Sequence, residues 1–172
     1  MDAIHAIMTR RSVRHFKPGP IPEELVEQLL HAAMQAPSAH NGQPWHFVVI
    51  DQREILDAIP THHPYAAMCK EAPLAILVCG DTDLARTADS WLLDCSAATQ
   101  NILLAAHALG LGAVWVHMLW PESAAPLRER LGLPEHVRTL ALVPVGYAVD
   151  PLPVKDRYRP ERVQRNHWKD NA

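Results

Sequence analysis

Two groups of cations and one loop are the parts of this sequence whose residue types could do chemistry. Arg10, Arg11 and Arg14 stand around Ser12, and far along the chain Lys155, Arg157 and Arg159 alternate through a polar segment. Guanidinium groups present a planar fork that matches phosphate oxygens, and serine adds a short hydroxyl donor. A phosphate monoester is close to a dianion at neutral pH and calls for several such groups at once. The same residues also fit two solvated charge clusters, so residue type alone leaves both readings open.

The loop runs from Ala36 through Pro37, Ser38, Ala39, His40, Asn41, Gly42, Gln43 and Pro44 to Trp45. Its small residues would let a backbone approach a planar ligand, and Asn41 and Gln43 could hydrogen-bond the polar edge of a ring. The alternative is an ordinary turn in which Asn and Gly serve only the backbone.

Several chemistries lack their signatures. There is no G-x-G-x-x-G and no G-x-x-x-x-G-K-[ST], and the pair Gly110 and Gly112 reads as a helix end rather than a phosphate loop. No H-E-x-x-H or G-x-S-x-G occurs. Eleven histidines invite a metal reading, with His40 and His46 astride the loop and His62 beside His63. Adjacent imidazoles diverge and no carboxylate stands at a regular spacing to them, so no metal site is expected.

Bulk properties bound the rest. The 172 residues suit a single domain, 1–172, with 48% hydrophobic and 20% charged residues. A net charge of −3 argues against nucleic acid as a partner. Three cysteines without a C-x-x-C imply neither a disulfide framework nor a thiolate metal site. No signal-peptide core and no membrane-length apolar run is visible, so a cytoplasmic protein is expected.

Elements must hold these groups in place. Residues 2–9 read as a short helix, and the stretch from Lys17 to Pro20 as a turn. A helix is expected from Pro22, carried by Leu25, Leu29, Leu30, Ala33 and Met34 and stopped by Pro37. Strands are expected at 46–50, 74–79, 113–116 and 139–145, and helices at 52–59 and 124–131. Residues 89–109 form a long helix that is apolar nearly all round, which implies burial on every side, in a core or between subunits. Residues 147–172 have no periodic pattern and are expected to dangle or to lie on another surface. Mixed strands and helices imply an α+β or α/β sandwich.

Taken together and in order, these pieces resemble the nitroreductase family: Arg10 to Arg14, Ala36 to Trp45, Asp94 to Asn101 leading to Gly110 to Ala113, Pro144 to Tyr147, and Lys155 to Arg157. The resemblance implies an α+β nitroreductase-like sandwich, with a central mixed sheet flanked by helices, in an intertwined homodimer that holds FMN at its interface. It implies that Arg10, Arg11, Ser12 and Arg14 hold the phosphate and ribityl end, with Lys155 and Arg157 closing on the phosphate. Pro37, Ser38, Ala39, Asn41 and Gln43 would line the flavin ring from the other subunit, and Val116 and His117 would face its N5 edge. His63 and Tyr65 fall where relatives differ and are candidates for the substrate pocket. The tail, 147–172, would pack on the partner subunit.

By the same resemblance, hydride passes from NAD(P)H through flavin N5 to a small oxidised acceptor, a nitroaromatic or quinone, in a ping-pong cycle, and no side chain acts as a nucleophile. The alternatives are a non-catalytic flavin-binding or storage protein, or a specialised relative such as a dehalogenase, an enone reductase or a flavin-fragmenting enzyme.

Overall fold

A computed structural model of the chain describes residues 1–150 and 153–168. Among the described residues five α-helices and six strands follow in the order α1 (Ala3–Thr9), β1 (Phe16–Lys17), α2 (Glu23–Met34), β2 (Trp45–Ile50), α3 (Arg53–His62), β3 (Leu74–Asp81), α4 (Ser90–Ala108), β4 (Gly112–Ala113), β5 (Val116–His117), α5 (Pro121–Leu131) and β6 (Val137–Ala148). The sheet runs β1-β6-β3-β2, and β4 and β5 pair with β6 as well. The strand pairings are antiparallel, and a parallel bridge joins Ser12 to Ala113.

β3 is a continuous apolar run because both faces of the sheet are covered. Leu74, Ile76 and Val78 face the cluster built with Val26, Leu29 and Ala33 of α2 and Cys95, Ala98 and Ile102 of α4. Ala75, Leu77 and Cys79 face the opposite cluster, with Leu56 and Ile59 of α3 and Leu127 of α5. The period of two along the strand thus divides one apolar segment between two helical layers. This is the helix-flanked sheet that the sequence implies.

The differences from expectation are local. Phe16 and Lys17, at the edge of the stretch read as a turn, form a strand against Ala148 and Tyr147. The strand expected at 113–116 is divided into β4 and β5. A single register runs through both, with Gly112 opposite Gly146 and Val116 opposite Leu142. The break lies opposite Pro144, which has no N–H to give to the ladder. α5 begins at Pro121, three residues before the apolar pattern, since proline suits the first turn of a helix.

α4 is not buried on every side by its own chain. Leu93 is 74% exposed, and Ala97 and Leu104 are only half-buried. The helix presents one face to the sheet and leaves an apolar face uncovered. α1 does likewise, with Ile4, Ile7 and Met8 exposed.

Candidate active site

The segment from Arg10 to Arg14 is fixed by its neighbours rather than by its own periodicity. It leaves α1 and crosses β4, where Val13 N–H donates to the Ala113 carbonyl at 3.0 Å. Gly112 makes that approach possible, since a Cβ there would lie 2.7 Å from Val13 Cγ1. Gly110, with φ of 80°, turns the chain out of α4 just before.

The tail returns to this segment. Arg11 Nε donates to the Pro153 carbonyl at 3.0 Å and Nη2 to the Lys155 carbonyl at 3.3 Å, while Nη1 reaches the carbonyls of Met8 and Arg10. Arg11 therefore ties the tail to the end of α1 and keeps one Nη2 N–H for another acceptor. Burial lowers the pKa of Arg10, and the charges of Arg157 and Arg11 add to the effect. Among the described residues, no carboxylate forms an ion pair with Arg10, Arg11, Arg14 or Arg157. Two basic clusters more than 140 positions apart thus meet, and the carboxylate that shares a cavity with Arg10 and Arg11, Asp150, forms no ion pair with them.

These cations open on two cavities. Arg10 and Arg11 line one of about 500 Å³ with His5, Thr9, His107 and Val154. His107 Nε2 lies 2.7 Å from Thr9 Oγ1, and its pKa is lowered by burial first and then by His5, Arg10 and Arg11. Arg14 lines the other cavity, of about 470 Å³, with His63, Tyr65, Val116, His117 and Trp120.

The second cavity brings together residues singled out in the sequence for different reasons. His63 is 1% exposed, and its Nε2 donates to the His117 carbonyl at 2.7 Å. Its Nδ1 faces the Tyr65 N–H at 3.3 Å, so the bonds on both nitrogens suit the neutral Nε2–H tautomer. Trp120 stacks on His63 at 5.8 Å between centroids and leans on His117 at 4.9 Å. His117 Nδ1 is buried without a hydrogen-bond partner.

Trp120 is the residue that sequence reasoning missed. It stands three positions beyond His117 and is 45% exposed, and a half-exposed indole is the available signal. A cavity of similar volume, about 510 Å³, lies beside Trp91, Arg128 and Arg138 but contains none of the predicted residues. The aromatic wall and the orphaned nitrogen distinguish the Arg14 cavity, not its size.

None of Pro37, Ser38, Ala39, Asn41 and Gln43 lines the Arg14 cavity of the same chain. Their loop is held from within: Ser38 Oγ accepts from Gln43 N–H at 3.0 Å, and Asn41 Oδ1 accepts from Gln43 Nε2 at 2.8 Å. Ala39 N–H donates to Asp94 Oδ1 of α4 at 3.0 Å. His40, Asn41 and Gln43 have φ near 50°. Left-handed backbone at three non-glycine residues marks a loop shaped by its surroundings.

The chain is thus an α+β sandwich that carries a cation cluster, an aromatic-walled cavity and an internally bonded loop. A family model described as the nitroreductase family matches residues 7–67 and 61–147. A Methanothermobacter thermautotrophicus protein provisionally named NADH dehydrogenase/NAD(P)H nitroreductase is 46% identical, over 98% of this chain and 88% of its own length. A solved Parabacteroides distasonis structure of the same provisional name superposes with TM-score 0.93 at 40% identity, covering 96% of this chain and 98% of its own. A Desulfovibrio desulfuricans structure, provisionally a nitroreductase and solved in complex with FMN, superposes with TM-score 0.86 at 31% identity, covering 98% and 99%. The chain belongs to the nitroreductase family.

Proposed function

We propose that this chain moves hydride equivalents from NAD(P)H through FMN to a small oxidised acceptor, in a ping-pong cycle at the Arg14 cavity. The coarse part follows from the family and from the chemistry named for its relatives: the chain is an NAD(P)H-dependent oxidoreductase with FMN as cofactor. The single observation behind the finer part is the convergence of Arg14, His63, Tyr65, Val116 and His117 on one cavity of about 470 Å³.

The residues fit the cofactor. Arg10 and Arg157, whose charges act on each other and which form no ion pair among the described residues, suit its phosphate, and Ser12 lies between Arg11 and Arg14 in the chain. The aromatic wall suits a planar ring, and His117 Nδ1 lacks a partner that a polar ring edge could supply. FMN, when bound, supplies the two-electron chemistry. The protein orients the nicotinamide and the acceptor against the ring, keeps water out, and offers positive charge where anionic charge develops. Tyr65, 68% exposed at the cavity mouth, is placed to contact substrates.

In this reading residues 1–172 act as one cytoplasmic unit that works as a homodimer. The uncovered face of α4 and the exposed apolar residues of α1 support that assembly, as do Val163 and Trp168 in the tail, 54% and 81% exposed on their own chain. Pro37, Ser38, Ala39, Asn41 and Gln43 then complete the partner's cavity, with Lys155 and Arg157 at the phosphate. Among the described residues no helix is long and apolar enough to cross a membrane.

The test has two stages. The chromophore released on denaturation should be FMN, and initial-rate plots with NAD(P)H and a quinone or nitroaromatic should be parallel. FAD, no flavin after reconstitution, or intersecting lines would overturn the corresponding part.

A further inference from the structure

At the far end of the sheet a set of polar side chains converges from elements well separated in sequence. Asp81 closes β3, Asp83 follows in the turn, and His136 precedes β6. One ligand atom from each of these three lies within 4.8 Å of the other two. Asp81 Oδ2 is 4.0 Å from His136 Nε2 and also 3.7 Å from Nε2 of His46 on β2. These separations are too long for hydrogen bonds. They exceed the edge of a tetrahedron of bonds about 2.0–2.1 Å long, roughly 3.3 Å, and His46 stands outside the three mutually close groups, so the exposed imidazoles of His46 and His136 would have to swing inward to close a four-ligand set.

The backbone holds the set in place. Asp83 N–H donates to Asp81 Oδ1 at 2.8 Å, which leaves Oδ2 facing the two histidines. Thr82 N–H and Oγ1 both donate to the His136 carbonyl at 3.0 Å. Asp81 N–H donates to the Pro44 carbonyl at 2.7 Å, which joins the cluster to the base of the 36–45 loop. Asp81 is mostly buried, its side chain only 13% exposed, while His46 and His136 are about half exposed and can be reached by an ion.

We propose that Asp81, Asp83, His136 and His46 form a binding site for a divalent transition-metal ion of the zinc class, which pins the base of the 36–45 loop to the sheet. Two imidazoles with two carboxylates form a borderline donor set that suits zinc rather than calcium or magnesium. Four protein ligands would leave no open position, so the ion would brace the structure rather than take part in the flavin chemistry. The assignment is independent of the redox reading.

The test uses the FMN-loaded protein after chelator treatment, titrated with zinc chloride against a chromophoric chelator, with bound metal measured by elemental analysis. We expect one zinc per chain, a higher thermal midpoint with zinc, and affinity lowered at least about tenfold in His136→Ala and in Asp81→Asn. Cobalt in place of zinc should give the visible bands of a tetrahedral site, again lost in His136→Ala. His31→Ala, remote from the cluster in sequence, should bind zinc as the parent does. Because Asp81 is mostly buried, circular dichroism checks its fold, and the exposed His46→Ala provides a second variant if Asp81→Asn unfolds. Less than about half an equivalent of zinc, or unchanged affinity in His136→Ala and His46→Ala, would overturn the site and place any bound metal among the other histidines.

Discussion

His63 Nε2 donates to the carbonyl of His117 across 2.7 Å, and this bond ties the end of α3 to β5. The imidazole is 1% exposed and stacked on Trp120. His63→Ala would leave a void and an unsatisfied carbonyl, for a loss of about 2–4 kcal/mol of stability. His63→Gln can keep a donor and should lose less. Chemical denaturation of both variants checks the order, and FMN affinity should fall with the same ranking because the bond shapes the cavity wall.

Arg11 has two roles in this structure, and they separate experimentally. Arg11→Ala removes a cation from the cluster and releases the tail from α1. FMN affinity should fall by about 1.5–3 kcal/mol. Trypsin should also cut near Lys155 and Arg157 faster than in the parent. Deleting residues 152–172 should go further, lowering FMN affinity and weakening the dimer together, since a ligand bound across an interface stabilises the assembly by mass action. Sedimentation with and without FMN measures both.

Gly112→Ala should destabilise the fold by about 1–3 kcal/mol. Its Cβ would press on the branched side chain of Val13, 2.7 Å from Cγ1 and 2.8 Å from Cβ. The strain falls on the segment that carries Arg14, so FMN release should accelerate as the melting temperature drops. Stopped-flow dilution and thermal unfolding would show the two effects together.

The three cysteines should be inert in the folded protein. Burial pushes the thiols of Cys69, Cys79 and Cys95 up to about 12. Thiolate, the reactive form, is then nearly absent at neutral pH. A disulfide reagent at pH 8 should label none of the three natively and all three after unfolding.

Acid should weaken the fold through His107. Its folded pKa lies below the ordinary value of 6.5, so the unfolded chain binds the extra proton more readily. The contribution is complete above about pH 6.5 and is lost as the pH falls through the folded value. Melting curves from pH 7.5 to 5 should shift downward, and His107→Gln should flatten the shift. An equal slope in that variant would assign the effect to other groups.

Much of this protein was readable from local chemistry. The continuous apolar run of β3 marked a strand covered on both faces, and the helical spacing of apolar residues in α2 reports the period of 3.6 that backbone geometry imposes. Arg10 to Arg14 and Lys155 to Arg157 stood out as charge clusters, but their residue types fit a solvated surface as well as a phosphate site, and only the family resemblance pointed to the second. Contacts between remote segments have no local period and were not readable. Nothing near Arg11 in the sequence says that its guanidinium reaches Pro153. Nothing near Trp120 says that it stacks on His63, 57 positions away. The break between β4 and β5 depends on Pro144, which lies on a different strand. His46, Asp81 and His136 show no ligand spacing along the chain and converge only because β2, β3 and β6 lie side by side. The sequence by itself determined which segments are apolar and which carry charge; only the tertiary structure decided which of those charges share a cavity, because that depends on how separate segments pack against one sheet.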